Sequence, residues 1–386
     1  MKRIDLFGIF CRMFLTTMLF FLSGQVLPIA AQENGEDELR YKGQLSAWTG
    51  WSSQGLAGAR YIPQLNLEVR CSGEPSLWRV DAEVAANIYT NAWFGNLTDK
   101  AGIEAAARLY RGWMRISANR VELRMGLQKI NFGSAMMLRP LMWFDSMDPR
   151  DPLQLTEGVW SVLGRYYAAN NINIWIWGLI GNKAPRPWDI GTSDSKTPEF
   201  GGRIQVPAGT GDMAFTFHRR KTDTLGIFEN RYGLDLRLDY EVGLWMEAAW
   251  INKRTDMGQF TNQEFLTVGA DYTFGLGNGL GVTVEHLVVS CDRKPFELNT
   301  PVHLSAFWVS YPLGMSDNVS YMFYYDWKGQ NVYNFLQWKH TFRTGDLYLM
   351  AFANPRDSVL SAIGNSKSSM KGTGFRLMYV LSHQSK

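Results

Sequence analysis

Cysteine and histidine are scarce in this sequence, with 3 and 5 residues among 386. The histidines form no pair at metal-binding spacing, and neither a Gly-x-Ser-x-Gly nucleophile motif nor a Gly-rich phosphate loop occurs. These absences argue against a metal centre, a serine hydrolase of that type and a nucleotide-binding protein. We therefore predict no cofactor and no metal, and we favour a protein that is not an enzyme.

A large excess of one charge is also missing, because 39 Lys and Arg residues stand against 36 Asp and Glu, for a net charge of +3. This balance gives no reason to expect a nucleic-acid partner. Beyond the N-terminal region, no stretch of about 18 consecutive apolar residues occurs, so no transmembrane helix is predicted.

The N-terminus has the three parts of a secretory signal peptide. Lys2 and Arg3 precede an apolar stretch that runs to about Leu27, and small residues then mark a plausible cleavage point. We predict a signal peptide over residues 1–31 and one exported domain over residues 32–386. An uncleaved N-terminal membrane anchor is the alternative.

Aromatic residues, by contrast, are abundant. They make up 14% of the chain, with 15 Trp and 16 Tyr, and hydrophobic residues reach 46%. A soluble exported protein rarely carries so many rings. A membrane barrel does, because belts of Trp and Tyr lie at both of its membrane interfaces.

Several segments alternate apolar and polar residues over about ten positions. In residues 232–240 every second residue is Tyr or Leu, and Gly, Asp or Arg stands between them. Residues 77–88, 121–128 and 266–274 follow the same pattern. Strands of soluble sheets average about five or six residues, whereas a tilted membrane strand needs about nine to eleven. The pattern predicts an all-β, transmembrane, antiparallel up-and-down β-barrel.

We count about eighteen candidate strands, an even number as in single-chain bacterial barrels. Sixteen is the alternative, because segments 172–181, 200–209 and 346–354 alternate weakly. The candidate strands begin near residues 40, 59, 76, 107, 121, 159, 172, 200, 210, 229, 243, 263, 279, 302, 317, 332, 346 and 371.

The connections between candidate strands alternate between short and long, except that residues 52–58 and 328–330 belong to the long set by order but are short. Short ones, such as residues 118–120, are rich in turn-forming residues, whereas residues 133–158 and 181–199 form long ones. Short periplasmic turns and longer extracellular loops are typical of outer-membrane barrels. This order places Cys71 and Cys291 at opposite rims, so we expect no disulfide between them.

The longest predicted loop, residues 133–158, is too apolar to extend into water, since it holds four Met, a Trp and a Phe. We expect it to fold into the barrel and narrow the pore. A lid over the rim and a short interfacial helix are the alternatives, and its Asp-Pro sequence can also serve only as a turn. Five of its charged residues would lie near the constriction, and they are Arg139, Asp145, Asp148, Arg150 and Asp151.

Charges of both signs fall on the predicted inward faces. On strands two to six we predict a net basic wall of Arg70, Arg79, Arg111, Arg115, Arg124 and Arg165. On strands ten to thirteen we predict a net acidic wall of Asp235, Asp239, Glu247, Asp271 and Glu285. The walls would lie roughly opposite each other, and a field between them would orient polar solutes. Alternatively, the charges pair between neighbouring strands and only keep the lumen wet.

One stretch resembles outer-membrane porin-like channels of the alginate-export type. Residues 123–133 combine a Gly-x-Gln core with a terminal Gly, and the loop that follows ends in Asp-Pro-Arg-Asp-Pro at residues 148–152. The resemblance covers about thirty residues. It implies an eighteen-stranded barrel for diffusion or export of an anionic or small polar solute. Residues 382–386 extend past the last candidate strand, which departs from the usual aromatic end of such chains.

We therefore expect a bacterial outer-membrane channel for passive diffusion or export of small polar or anionic solutes. A loop-blocked barrel that anchors surface polysaccharide or acts as an adhesin is the alternative, and an outer-membrane hydrolase is a weaker one. The expected partners are outer-membrane lipid and lipopolysaccharide, the barrel-assembly machinery and a small polar solute. A homo-oligomer is compatible with this scheme.

Overall fold

The computed structural model of the chain describes residues 37–52, 55–71, 78–94, 101–223, 226–355, 370 and 372–385. The predicted signal peptide, residues 1–31, lies outside the described residues, and so does the side chain of Arg70. In the described part of the chain, no helix has the length and apolar character needed to cross a membrane.

Eighteen antiparallel strands form one closed sheet. Each strand pairs with its neighbours in sequence, and the first strand pairs with the last, which closes the ring. The strands are β1 (Asp37–Trp51), β2 (Gly55–Cys71), β3 (Trp78–Phe94), β4 (Gly102–Ala118), β5 (Val121–Gln128), β6 (Val159–Tyr167), β7 (Asn173–Leu179), β8 (Glu199–Ala208), β9 (Gly211–Lys221), β10 (Phe228–Asp239), β11 (Gly243–Lys253), β12 (Asn262–Phe274), β13 (Leu280–Asp292), β14 (Val302–Pro312), β15 (Asp317–Asp326), β16 (Asn331–Thr341), β17 (Asp346–Asn354) and β18 (Gly372–Gln384). The predicted up-and-down barrel is confirmed, with eighteen strands rather than sixteen.

The longest connections follow odd-numbered strands, as the sequence predicted, although the connections after β1 and β15, residues 52–54 and 327–330, are short. Even-numbered strands are followed by short turns, such as residues 119–120 and 209–210, at what we call the inner rim. Odd-numbered strands lead to the longest connections, residues 129–158 and 180–198, at the outer rim. We call these two connections loop 3 and loop 4, by their order along the outer rim. Cys291 lies near the outer end of β13 and is a free thiol.

The two faces of the sheet differ in polarity. In β11, buried residues such as Trp245 and Glu247 face the lumen and alternate with less buried residues that face outward. On other strands Ile176, Leu234 and Val268 point outward and keep 36% to 67% of their surface exposed. Removing such apolar surface from water is favourable by about 25 cal/mol per Å², so this exterior suits a hydrocarbon environment.

Exposed aromatic side chains concentrate at the two ends of the strands. The set near the outer rim consists of Trp51, Trp160, Phe200, Phe228, Phe260, Phe296, Trp327 and Phe375. The set near the inner rim consists of Tyr166, Tyr167, Tyr240, Tyr272, Phe274 and Phe342. Rings at both ends of an apolar band mark the two membrane interfaces of a transmembrane barrel.

Candidate functional site

Loop 3 lies inside the barrel. Its buried apolar side chains are Ile130, Phe132, Met137, Leu138, Leu141, Met142, Trp143 and Phe144. They form one cluster with lumen-facing residues of the surrounding strands, among them Leu163, Trp177, Phe265 and Leu287. Full burial of one such large side chain contributes about 1.5–3 kcal/mol. The loop thus fills part of the lumen with a packed apolar core.

Two carboxylates on β11 and β13 hold the backbone of loop 3. Glu285 on β13 accepts hydrogen bonds from the backbone N–H groups of residues 136–138, at 2.6, 2.9 and 2.6 Å. Glu247 on β11 accepts from Ala135 N at 2.7 Å and from Leu141 N at 3.3 Å. Buried N–H groups need acceptors. These two carboxylates of the predicted acidic wall provide acceptors for the backbone of loop 3.

Gly133 allows the loop to approach Glu247. Its φ of +99° lies in a backbone region that residues other than glycine rarely adopt. An added Cβ would stand 2.2 Å from Glu247 Oε1. Glycine at the start of the turn therefore lets the following segment reach the carboxylate.

Four of the five residues predicted near the constriction pair within loop 3. Arg139 Nη1 donates to Asp145 Oδ1 at 2.9 Å, and both residues are buried. Arg139 Nη2 also donates to Asn131 Oδ1 at 2.7 Å. Arg150 grips Asp148 with two hydrogen bonds of 2.7 Å each. Bidentate pairs of this kind fix geometry, so these side chains shape the loop.

Asp151, the fifth of these residues, accepts a hydrogen bond at Oδ1 from Leu153 N, at 3.1 Å. Burial raises the pKa of Asp151, and the charges of Arg60 on β2 and Arg376 on β18 act against that rise. The guanidinium of Arg60 lies 5.5 Å from the ring centre of Trp48 and 5.9 Å from that of Tyr89. Asp151 therefore has its hydrogen-bond partner within loop 3, and the charges of two wall arginines act on its carboxyl.

Glu122 lies at the centre of the predicted basic wall. Its oxygens are 3.0 Å from Arg124, 3.4 Å from Arg165 and 3.7 Å from Arg115. One carboxylate on β5 therefore compensates arginines from three neighbouring strands.

The remaining described arginines of this wall also have partners. Asp81 lies 2.8 Å from Arg79 and 2.7 Å from Arg115. Arg111 instead donates to the backbone carbonyl of Thr156 in loop 3, at 2.8 Å. Carboxylates therefore lie between the arginines of the basic wall, and Arg111 connects this wall to the C-terminal part of loop 3.

The other residues of the predicted acidic wall are paired as well. Asp235 accepts two hydrogen bonds from Arg203 on β8, of 2.5 and 2.9 Å. Arg237 lies 2.9 Å from Asp239 and 3.5 Å from Asp271, close to the inner rim. Most charges of both predicted walls therefore have a counter-charge or backbone donors beside them.

Sequence reasoning missed a buried ion-pair cluster at the outer rim. Asp189 of loop 4 accepts from Arg220 on β9 at 2.9 Å and from Arg231 on β10 at 2.6 Å. Glu229 lies between the same two arginines. Alternation along β10 could have placed Glu229 and Arg231 inward, whereas nothing local pointed to Asp189.

Loop 4 also donates hydrogen bonds to loop 3. Trp188 Nε1 donates to the carbonyl of Arg139 at 3.0 Å, and Arg186 Nη2 donates to the carbonyl of Gly158 at 3.3 Å. Gln263 of β12 in turn donates to the carbonyl of Trp188 at 3.4 Å. The two loops and the wall therefore form one hydrogen-bonded unit.

A closed transmembrane barrel with an inward-folded loop and a charged lumen is the architecture of a porin-type channel. Among the residues that the structure describes, no three His, Cys, Asp or Glu side chains are grouped to hold a metal ion.

Comparison with known proteins agrees with this class. No protein-family model matches the sequence, and no curated protein does. Among solved structures, Pseudomonas aeruginosa OccK5 (OpdH) matches 90% of this chain and 98% of its own, with a TM-score of 0.53 at 10% identity. Pseudomonas aeruginosa OpdQ matches 91% and 99% (TM-score 0.55, 10% identity), and Acinetobacter baumannii OccAB1 matches 90% and 96% (TM-score 0.56, 8% identity). These neighbours are outer-membrane porins, so the predicted porin-like fold is confirmed.

Proposed function

We propose that this chain is a bacterial outer-membrane channel for passive diffusion of small polar or anionic solutes, and that loop 3 sets its width. One observation carries the proposal: the wall carboxylates Glu247 and Glu285 hold loop 3 inside the lumen. The apolar exterior, the two aromatic belts and the porin fold support it. Export through residues 1–31 and insertion by the barrel-assembly machinery would precede this function.

The proposed passage runs beside loop 3, along β1–β6 and β18. There Arg79, Arg115 and Arg124 keep 44%, 24% and 16% of their side-chain surface exposed, whereas the loop buries its other side in the apolar cluster. Four arginines face three carboxylates in the ion-paired network of β2–β6, an excess of one positive charge. A modest preference for anions follows.

Single-channel recording of the mature chain in a planar bilayer tests the proposal. We expect steady openings that are narrow for an eighteen-stranded barrel, because loop 3 occupies part of the lumen. A folded barrel without conductance would contradict the channel and support the second candidate, a blocked barrel that anchors polysaccharide or acts as an adhesin. The packed apolar core of loop 3 is the observation that favours that candidate.

Joint replacement of Arg111, Arg115 and Arg124 by glutamine is expected to shift the ion selectivity of the channel toward cations. The change leaves three carboxylates against two arginines in the wall network. One unit charge at about 10 Å in water contributes about 0.4 kcal/mol before screening, so the permeability ratio should move several-fold at low salt. Reversal potentials in a potassium chloride gradient measure it. The matching lysine triple variant is the control, and an unchanged reversal potential in the glutamine variant would refute this charge assignment.

A further inference from the structure

The outward face of β9–β11 carries a row of rings near the outer rim. Tyr232 is the register partner of Phe217 and of Trp250, and its ring centre lies 5.4 and 5.1 Å from theirs. On the membrane side of this row stands the exposed Leu234. Aromatic rows of this kind mark the outer edge of the hydrocarbon layer.

Directly outside the rings, the same three strands carry polar and basic residues. Asn230 is the register partner of both Arg219 and Asn252, so these three form the next row on the outward face. One step further out, Lys221 is the register partner of Phe228. The carbonyl of Phe228 accepts from Arg254 N at 2.8 Å on the other side. Because neighbouring strands lie about 4.8 Å apart, three cations share one small patch.

The charges of this patch are only partly compensated. Arg219 makes one long hydrogen bond to Asn230 Oδ1, at 3.5 Å, and its guanidinium lies 4.8 Å from the ring centre of Phe228. Within the described ranges no carboxylate pairs with Arg219 or with the exposed Arg254, whereas Lys221 lies 3.4 Å from Asp194. Two arginines therefore present their charge at headgroup level.

We propose that this patch binds the phosphates of a phosphorylated glycolipid in the outer leaflet. The proposal rests on the outer-membrane location proposed above. Guanidinium groups match phosphate oxygens in charge and geometry. The amide of Asn252, which is partly exposed whereas that of Asn230 is buried, suits a sugar hydroxyl, and acyl chains would lie against the rings and Leu234. This combination fits a glycolipid better than a simple phospholipid.

Titration of the detergent-solubilised mature barrel with diphosphoryl lipid A, followed by native mass spectrometry, tests the proposal. We expect binding that weakens at least about tenfold when Arg219 and Arg254 are both replaced by glutamine, as expected for two cations at a membrane surface. Dephosphorylated lipid A should bind the unchanged barrel equally weakly. Asn230→Asp, which places a carboxylate within the patch, should also lower the affinity for diphosphoryl lipid A.

Arg343→Gln is the matched control, because Arg343 is exposed in the inner-rim turn between β16 and β17. The site would be overturned if the Arg219/Arg254 variant bound diphosphoryl lipid A as tightly as the unchanged barrel. It would also be overturned if Arg343→Gln lowered the lipid affinity as much as the Arg219/Arg254 change. Conductance is recorded separately in glycolipid-free bilayers. Loss of the lipid site with openings intact would therefore leave the channel proposal standing.

Discussion

Replacing Glu285 with glutamine is expected to free loop 3, raising channel conductance and current noise together. Glu285 accepts four hydrogen bonds, three from the loop backbone at residues 136–138 and one from Trp245 Nε1 at 3.0 Å. Glutamine keeps one acceptor oxygen and turns an NH₂ group toward two of these donors. Each unsatisfied buried donor costs about 1–3 kcal/mol.

A total of about 3 kcal/mol would shift the equilibrium between the held and released loop roughly a hundredfold. Single-channel recording measures this as larger or flickering openings, and tryptophan fluorescence reports the exposure of Trp143 from the loop core. Glu247→Gln should act in the same direction but less strongly, because Glu247 accepts two loop N–H groups rather than three.

Glu264→Gln is the matched control for this substitution. Glu264 is also buried, on the adjacent β12, but it accepts from Phe296 N of the β13–β14 connection and, among the described residues, makes no hydrogen bond with loop 3. Its current traces should match those of the unchanged chain. If Glu285→Gln gave traces like those of Glu264→Gln, the carboxylate anchor would not be what holds the loop.

The barrel could be predicted from the sequence because its strands repeat a local rule. In β10 the alternation that starts at Tyr232 predicts Leu234 outward and Asp235 inward, and Leu234 is exposed whereas Asp235 is buried. A two-residue period survives errors in strand ends, and turn-rich segments mark where the chain reverses. Strand count and connection order therefore followed from local information.

The partners of the lumen charges could not be predicted in the same way. Alternation placed Glu247 and Glu285 inward, but their main partners are backbone N–H groups of loop 3, which every sequence supplies. Contacts across the lumen depend on the depth of each residue, and depth follows from the stagger of the whole ring. The partnership of Asp189 with Arg231 joins residues far apart in sequence, at the end of a loop without any repeating pattern.

Replacing Asp189 with asparagine is expected to release loop 4 while leaving the barrel intact. Asp189 and Glu229 together neutralise Arg220 and Arg231, and all four side chains keep 3% or less of their surface exposed. Removing one charge of such a buried set leaves an uncompensated cation, which costs about 3–5 kcal/mol. The strands themselves are held by the backbone hydrogen bonds between them, so the loss of stability should be confined to loop 4.

Trypsin measures this release, because loop 4 contains Lys183 and Lys196. Cleavage of a folded loop requires local opening, so a cost of about 3 kcal/mol or more should speed it by about a hundredfold or more. Asp194→Asn is the control within the same loop, since Asp194 pairs with Lys221 near the surface. Equal cleavage rates for the two variants would mean that the buried cluster does not hold loop 4. Faster cleavage of Asp189→Asn together with noisier openings would show that loop 4 also holds loop 3, through Trp188 and the carbonyl of Arg139.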